Sequence, residues 1–414
     1  MELVDIDGKS LRKITGDEFI QKIISGERYL ERILLEDVNL NQHPRFAEFN
    51  QYLKENTLGG NSLVLSQAYL KGVQAKGIYL PYLNGRYITL EDVDLEGAYL
   101  EGADLEEAQL SGIILRGANL REACLQQVFL NEADFSWAVL ERADLTGAST
   151  RTSYSHTTLK ERIDEMESSE LDKTNFSLKE RLSINAMRIH LRKQGYLDPS
   201  VDDYKRFLLK KRAHDEEVVE STLFEGENVS FARANLNRAT LIGAYLKGVD
   251  FRGASLIDAM IHDDSANIHR IDTDEESPPM MLEDADFRES DLTSAIMKGA
   301  NAAKAKFSGA NLTNTNISGV YAAGADFSNA EFNQTDLTFA DLRNSDFMNA
   351  RIVKNAWFGN ADLRGAKNLD KCSGLIRNGR FSYTMVTQKE KWLLEEMLRK
   401  EGKRLMTTRW DVQK

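Results

Sequence analysis

The stretch Leu90–Leu110 reads LEDVDLEGAYLEGADLEEAQL and places a leucine at every fifth position. Side chains on one face recur every two residues in a strand and every 3.6 residues in a helix, so neither element explains this spacing. A fixed period that is kept over many residues indicates an array of short repeated units, each of which turns the chain before the next begins. The five-residue period therefore decides the fold prediction.

The same pattern returns in three arrays, and we call the recurring large residue of each unit its centre. Two residues before the centre lies a small or β-branched residue, as at Ala98 and Ala103. Asp or Asn often lies just before the centre, and Gly often lies two residues after it. The centres are Leu65, Leu70, Leu80, Leu90, Leu95, Leu100, Leu105, Leu110, Leu115, Leu120, Leu125, Leu130, Phe135, Leu140 and Leu145; then Phe231, Leu236, Leu241, Leu246, Phe251, Leu256 and Ile261; then Leu282, Phe287, Leu292, Met297, Phe307, Leu312, Ile317, Phe327, Phe332, Leu337, Leu342, Phe347 and Ile352, after which one extra residue shifts the period to Phe358 and Leu363.

Several units share a short motif. Residues 103–105, 143–145 and 361–363 read ADL, and residues 118–120, 234–236 and 310–312 read ANL. In these units the sequence resembles the pentapeptide-repeat family, whose motif is A(D/N)LXX. The resemblance covers roughly 61–150, 228–261 and 280–370. It implies a mainly β fold, a right-handed quadrilateral parallel β-helix with four pentapeptides in each coil.

Elementary stereochemistry agrees with this fold. The centre and the residue two before it point to the same side of a short extended segment, so both can face a narrow interior. Asp or Asn beside the centre can accept a hydrogen bond from the backbone of a turn, and Gly allows the positive φ of a tight corner. Parallel coils about 4.8 Å apart satisfy each other's backbone groups, so on the order of ten coils give a rod of roughly 50 Å.

The segments between the arrays have other patterns. Helical patterns open at Thr15 and Thr387, where Glu follows three residues later as in a capping box, and the segment 151–228 has the pattern of two helices. The predicted organisation is a helical N-terminal cap with an irregular first coil at 1–60, β-helix at 61–150, an inserted helical hairpin at 151–228, β-helix at 229–261, an acidic loop at 262–279, β-helix at 280–370, and a C-terminal capping or dimerisation helix at 371–414.

Composition narrows the class of protein. The 414 residues carry a formal net charge of −12, which disfavours direct binding of nucleic acid. Two cysteines cannot form a disulfide framework, and no apolar stretch predicts a signal peptide or a membrane span, so we expect a cytoplasmic protein. No nucleophile motif, phosphate-binding loop or metal-ligand spacing is found, and the His262–His269 stretch is interpreted as a solvated loop. We therefore predict no cofactor, no metal and no enzymatic activity.

Four groups of residues are candidates for contact with a protein partner. Tyrosines are predicted on adjacent coils of one side, an acidic cluster follows them, a basic stretch lies in the inserted hairpin, and apolar residues lie on the terminal helix. These residues are Tyr79, Tyr82 and Tyr99; Asp104, Glu106 and Glu107; Lys205, Arg206, Lys210, Lys211 and Arg212; and Trp392 and Met397. The tyrosines are either covered by the inserted hairpin or open to a partner, and the terminal helix either caps the rod or pairs two copies.

Two functions follow from these patterns. The first is a non-enzymatic scaffold that presents a rigid β-helical surface to an unidentified protein partner, with the hairpin and the terminal helix as contact elements and a homodimer through that helix. The alternative, implied by the family resemblance, is a DNA-mimicking modulator of type II topoisomerase that protects gyrase. A DNA mimic needs negative charge repeated along one face, yet residues one coil from Asp104 are Asn84 and Cys124, which break the acidic stripe. We therefore expect the scaffold.

Overall fold

The computed structural model describes residues 10–57, 62–150, 229–262 and 280–401, together with the backbone of 410–412. The chain forms two compact units, one of residues 1–152 and 226–414 and the other of residues 153–225. The second unit contains most of the predicted hairpin and lies outside the described residues, as does the segment 263–279 of the acidic loop. The described residues all belong to the first unit.

The first unit is a parallel β-solenoid of about 13 turns. Backbone bridges join residues twenty apart, as in Asn84 to Asp104 and Asp104 to Cys124, and they form four separate ladders. We number the walls by these ladders: wall one passes through Asn84 and Asp104, wall two through Thr89 and Gln109, wall three through Asp94 and Ile114, and wall four through Tyr99 and Asn119. The predicted β-helix is confirmed. It has more turns than the ten or so expected, because wall one already begins at Tyr29 and continues to Arg380, beyond the motif at both ends.

Most turns of the solenoid contribute single bridges, and a few contribute short strands. The strands are β1 Arg12–Lys13, β2 Ile33–Glu36, β3 Tyr69–Lys71, β4 Thr89–Glu91, β5 Asn311–Thr313, β6 Glu331–Asn333, β7 Thr335–Asp336, β8 Arg351–Ile352, β9 Ala356–Trp357, β10 Gly379–Arg380, β11 Thr384–Val386 and β12 Trp410–Val412. The helices are α1 Gly16–Ile24, α2 Phe46–Asn56, α3 Leu375–Asn378 and α4 Gln388–Lys400, with single 3-10 turns at Leu40–Gln42 and Leu369–Lys371. All strand pairs are parallel; β1, β2, β3 and β4 pair in sequence order on wall two.

Each corner is a β-turn whose local contacts explain the repeat. At Leu95–Ala98, the Ala98 amide donates to the Leu95 carbonyl oxygen at 2.9 Å. Gly97, the third residue of the turn, has φ 66°, as a type II turn requires. The Asp94 side chain accepts from the Glu96 amide at 3.1 Å. Asp and Gly therefore have the roles in the turn that the sequence predicts.

The interior is a set of side-chain columns. Centres and the residues two before them are buried together, as Leu105 and Ala103 show. Seven phenylalanines form one column along wall three, with neighbouring ring centroids 4.8 to 5.5 Å apart and nearly parallel. They are Phe135, Phe231, Phe251, Phe287, Phe307, Phe327 and Phe347. Such offset stacking adds to the burial of apolar area, so this column is a principal stabilising element of the core.

Both insertions leave the ladders in register. Ser149 bridges to Tyr245 on wall two, and Ser230 continues wall three directly from Asp134. Since Thr150 ends one side and Val229 opens the next, residues 151–228 stand where other turns have two residues. The segment after Ile261 is placed in the same way between walls one and two, because Met281 follows Tyr245 on its ladder. The single extra residue near Asn355 is absorbed at a corner too, so that Trp357 pairs with Asp336.

Helices lie at both ends of the solenoid. α1 begins after Thr15, whose hydroxyl accepts from the Glu18 amide at 3.1 Å. α4 begins after Thr387 with a complete capping box formed with Glu390. Leu394 of this helix is buried in the core. Within the described ranges, no helix combines the length and the apolar character that crossing a bilayer requires.

Candidate interaction surfaces

Two of the three predicted tyrosines form a stacked pair on wall four. The rings of Tyr79 and Tyr99 lie 4.8 Å apart at 17°, one turn from each other. The Tyr99 hydroxyl donates to the Glu101 carboxylate at 2.5 Å, and the Asn119 amide donates to the same oxygen at 3.2 Å. This hydrogen bond, followed by burial, raises the pKa of Tyr99 to about 12. The pair is therefore a fixed, half-buried platform.

Helix α2 fixes the first tyrosine of the pair. The Asn50 side-chain oxygen accepts from the Tyr79 amide at 2.8 Å, and its amide group donates to the Gly77 carbonyl oxygen at 2.9 Å. One side chain thus satisfies a backbone donor and a backbone acceptor of the same turn. Helix α2 therefore lies beside wall four at this turn, next to the tyrosine pair.

Tyr82 occupies the corner between walls four and one. Its φ is 55°, its side chain is 55% exposed, and its ring lies so close to Gly102 that a Cβ there would come within 2.6 Å of it. The ring therefore covers the bare backbone of the next turn. The structure brings all three tyrosines to one region of the surface, and Tyr82 is the most exposed of them.

The acidic cluster is one turn high, and two of its three carboxylates contact one arginine. Arg86, one turn earlier on wall one, contacts Glu106 at 2.5 Å and Asp104 at 3.4 Å. Asp104 also accepts from the Glu106 amide at 3.2 Å, so part of its charge serves the local turn. Glu107 lies at the corner with φ 57°. The predicted stacking of Asn84, Asp104 and Cys124 is confirmed.

Two carboxylates of this cluster and the neighbouring Cys124 have the donor atoms that a metal site would need. Ligand atoms of Asp104, Glu106 and Cys124 lie within 4.8 Å of one another. Burial, reinforced by the neighbouring carboxylates, raises the pKa of the Cys124 thiol and so disfavours the thiolate that binds metals. Arg86 already pairs with both carboxylates. The cluster is therefore an ion-paired surface feature, and the buried Cys372, with a pKa raised to about 12 by burial, is less reactive still.

The two candidate residues of α4 differ in their surroundings. Trp392 is 57% exposed, whereas Met397 is half-buried and packs against the core beside Leu393 and Leu398. Only the tryptophan presents most of its surface outward. The five basic candidates, Lys205, Arg206, Lys210, Lys211 and Arg212, lie outside the described residues.

Sequence reasoning missed the most exposed tryptophan among the described side chains. Trp137 lies at the corner between walls three and four, in the turn that follows Phe135, and is 59% exposed. The guanidinium of Arg233, at the same corner one turn later, lies 4.8 Å from its ring centroid. The available signal was a tryptophan two residues after a centre, at a position where the repeat favours glycine.

Comparison with known proteins supports the repeat assignment. A family model of pentapeptide repeats matches residues 89–131, 113–149, 227–263, 282–319 and 315–352, with eight copies. Each of the three arrays of bridged turns contains matched repeats. No curated protein matches the chain by sequence.

Solved structures of the same kind are found. QnrB1, a plasmid-mediated fluoroquinolone resistance protein, is 17% identical, with 70% of this chain and 95% of that chain covered and a TM-score of 0.32. HetL, a pentapeptide repeat protein involved in heterocyst differentiation regulation from the cyanobacterium Nostoc sp. strain PCC 7120, is 18% identical, with 90% and 97% covered and a TM-score of 0.19. At these identities the likeness concerns the fold alone. With the A(D/N)LXX units, the four bridged walls and the eight matched copies, residues 89–149, 227–263 and 282–352 of the chain are pentapeptide repeats.

Proposed function

We propose that the protein is a non-enzymatic scaffold that holds a protein partner on the outside of its β-helix. The observation that carries this proposal is the continuity of the column from Phe135 to Phe347 across both insertions. A continuous core holds the outer side chains of many turns at fixed spacing, so that a partner meets a surface already in its bound form. Preorganisation of this kind lowers the entropy lost on binding.

The distribution of side chains supports a binding function. Interior positions of the described turns are mostly leucine, phenylalanine and alanine, and buried polar residues such as Thr315 and Thr335 donate to backbone carbonyl oxygens. The side chains available for binding are therefore those on the outside. Exposed aromatic residues such as Tyr82, Trp137 and Trp392 are of the types enriched in protein interfaces. The cytoplasm remains the expected location.

The alternative, a DNA-mimicking modulator of type II topoisomerase, receives less support from the geometry. The acidic cluster spans a single turn of wall one, between Asn84 and Cys124, and Arg86 pairs with two of its carboxylates. A mimic would present charge on successive turns. Binding of purified gyrase to the wild-type chain, lost on changing Asp104, Glu106 and Glu107 to lysine, would favour this alternative over the scaffold.

The scaffold is tested by affinity capture from native lysate with two baits. One bait is the full chain, and the other has residues 151–228 replaced by Glu-Gly, the turn residues found at Glu96–Gly97. A partner captured only by the full chain assigns recognition to the inserted segment. A partner captured by both assigns it to the walls or the ends. Failure of both baits to enrich any protein would contradict the scaffold.

A homodimer through α4 is tested separately. Trp392 presents its ring outward, while Met397 is engaged with the core, so the exposed tryptophan is the residue on which self-association would depend. Light scattering after size exclusion should show a dimer for the wild type and a monomer for Trp392→Ala. An identical mass for both chains would contradict pairing through this helix.

A further inference from the structure

Trp137 occupies the corner of an ordinary turn, closed by the Ala138 amide donating to the Phe135 carbonyl oxygen at 3.0 Å, yet its side chain lies mostly in solvent. Its φ of 64° lies in the left-handed region, which is unfavourable for a bulky residue and natural for glycine. The same side chain is 59% exposed, so burial does not compensate for the backbone conformation. Other corners hold non-glycine residues at similar φ, such as Phe339 at 62°, so the exposed indole and not the backbone conformation distinguishes this position.

Arg233 is the one arginine of this part of the rod without a carboxylate partner. Seven arginines occur within the described ranges 62–150 and 229–262, and six of them form ion pairs there; these six are Arg86, Arg116, Arg121, Arg142, Arg238 and Arg252. Arg233 instead lies over the Trp137 ring at 4.8 Å. Its planar guanidinium retains N–H donors that could hold a carboxylate in bidentate fashion.

The surface on the other side of Trp137 is open. At the preceding turn of the same corner, Gly117 is exposed, and a Cβ added to it would meet nothing within 4 Å. Arg116, beside this glycine, is also exposed and is held only by a 3.5 Å contact with Asp134. One face of the Trp137 ring is therefore covered by Arg233. On its other side lie the exposed backbone of Gly117 and the side chain of Arg116.

We propose that Trp137 and Arg233 form a recognition site for an acidic segment of a partner protein, in which a carboxylate pairs with the arginine and an apolar side chain packs on the tryptophan. Trp and Arg are the residue types that most often dominate the binding energy of interfaces, which requires a partner that removes both from water. Because Arg233 has no carboxylate partner among the described residues, it favours a negatively charged partner. The proposal rests on the scaffold function and names one of its contact sites.

Short fluorescein-labelled peptides provide the probe. One set carries Leu or Trp flanked by Asp and Glu, a second carries the amides Asn and Gln at the same positions, and a third carries Lys and Arg. Each is titrated against the full chain by fluorescence anisotropy. We expect acidic peptides to bind at least about tenfold more tightly than amide peptides, the scale of a hydrogen bond to a charged group.

Two variants and two matched controls locate the site. Trp137→Gly places the residue that suits this φ, so its fold is preserved, and it should weaken acidic peptides at least about tenfold. Arg233→Glu should abolish the preference for acidic peptides. The controls are Trp357→Thr, which removes an exposed tryptophan of wall one, and Arg238→Gln, which removes an arginine that pairs with Asp258. Both controls should bind as the wild type does.

Equal binding of all three peptide sets, or unchanged binding by Trp137→Gly, would overturn the proposal. The same variant used as bait in the lysate experiment separates the two proposals. If the wild-type chain captures a partner and Trp137→Gly captures it equally well, the scaffold stands and recognition at this corner is wrong. If the wild-type chain captures nothing, the scaffold itself fails.

Discussion

Phe135 and Trp137 lie two residues apart and follow opposite rules. Phe135 is fully buried and stacks on Phe231, the equivalent residue of the next turn, at 4.8 Å. Trp137 is mostly exposed, and its ring centroid lies 4.8 Å from the guanidinium of Arg233, which occupies the same corner one turn later. The inner contact recurs along the column as far as Phe347, whereas among the described turns a tryptophan–arginine contact occurs at one turn. Inside the rod the repeat is enforced by packing, and outside it the sequence is free to vary.

The largest effect should come from breaking the inner rule. Phe251→Ala removes a buried ring that stacks on both Phe231 and Phe287, and we expect a loss of about 3–5 kcal/mol in the free energy of unfolding. Chemical denaturation followed by circular dichroism measures this loss. Phe251→Leu, which keeps most of the volume, should cost less than about 1.5 kcal/mol. Equal losses for the two variants would show that volume does not control this column.

A smaller loss of stability is expected from the turn residues, which lie between the buried core and the exposed corners. The Asp326 side chain accepts from the Ser328 amide at 2.8 Å within its turn. Asp326→Ala should cost about 1 kcal/mol, since a single hydrogen bond of this kind is lost. Asp326→Asn keeps the acceptor and should cost less. If alanine and asparagine are equally destabilising, the loss arises from charge and not from the turn.

Substitution of the exposed Trp137 is expected to have almost no effect on stability. Trp137→Gly relieves a left-handed backbone conformation but increases the freedom of the unfolded chain, so the free energy of unfolding should change by less than about 1 kcal/mol. Thermal unfolding measures it beside Phe251→Ala. A loss comparable to that of the buried phenylalanine would remove the distinction between the two residues.

The outer tyrosine pair has a pH-dependent signature. The pKa of Tyr99 is raised to about 12, so its neutral form is favoured by folding. The stability that this gives is fully present below about pH 10, the pKa of a tyrosine in the unfolded chain, and it is lost as pH rises towards 12. Tyr99→Phe should therefore lose less stability than the wild type between pH 10 and pH 12. Parallel stability curves for the two chains over that range would contradict the role of the Glu101 hydrogen bond.

The fold could be predicted because its determinants are local and repeated. Each unit contains a pair of residues that face the interior, such as Ala103 and Leu105. It also contains the residues that form the turn, such as Asp94 and Gly97. The total number of turns could not, since Tyr29 and Arg380 join wall one by pairing with neighbouring turns and not through the motif. Pairing across turns is a non-local property that the five-residue pattern does not contain.

The candidate surfaces were only partly predictable for the same reason. The stacking of Tyr79 on Tyr99 follows from their separation of twenty residues, and the sequence predicts it. The contact of Trp137 with Arg233 joins residues on either side of the inserted segment, so their separation in sequence hides their proximity. The pairing of Arg86 with Glu106 likewise depends on side-chain conformations that composition does not fix.

The placement of the inserted segment between Thr150 and Val229 has a consequence for how such a rod can change. The ladders bind the two flanking residues whatever lies between them, and closing a longer loop costs only about 0.6 kcal/mol for each doubling of its length. Every corner is therefore a site at which a whole additional unit can be grafted without altering the register of the turns on either side. The five-residue period therefore fixes the corner at which an inserted segment is attached. It places no constraint on the length or sequence of that segment.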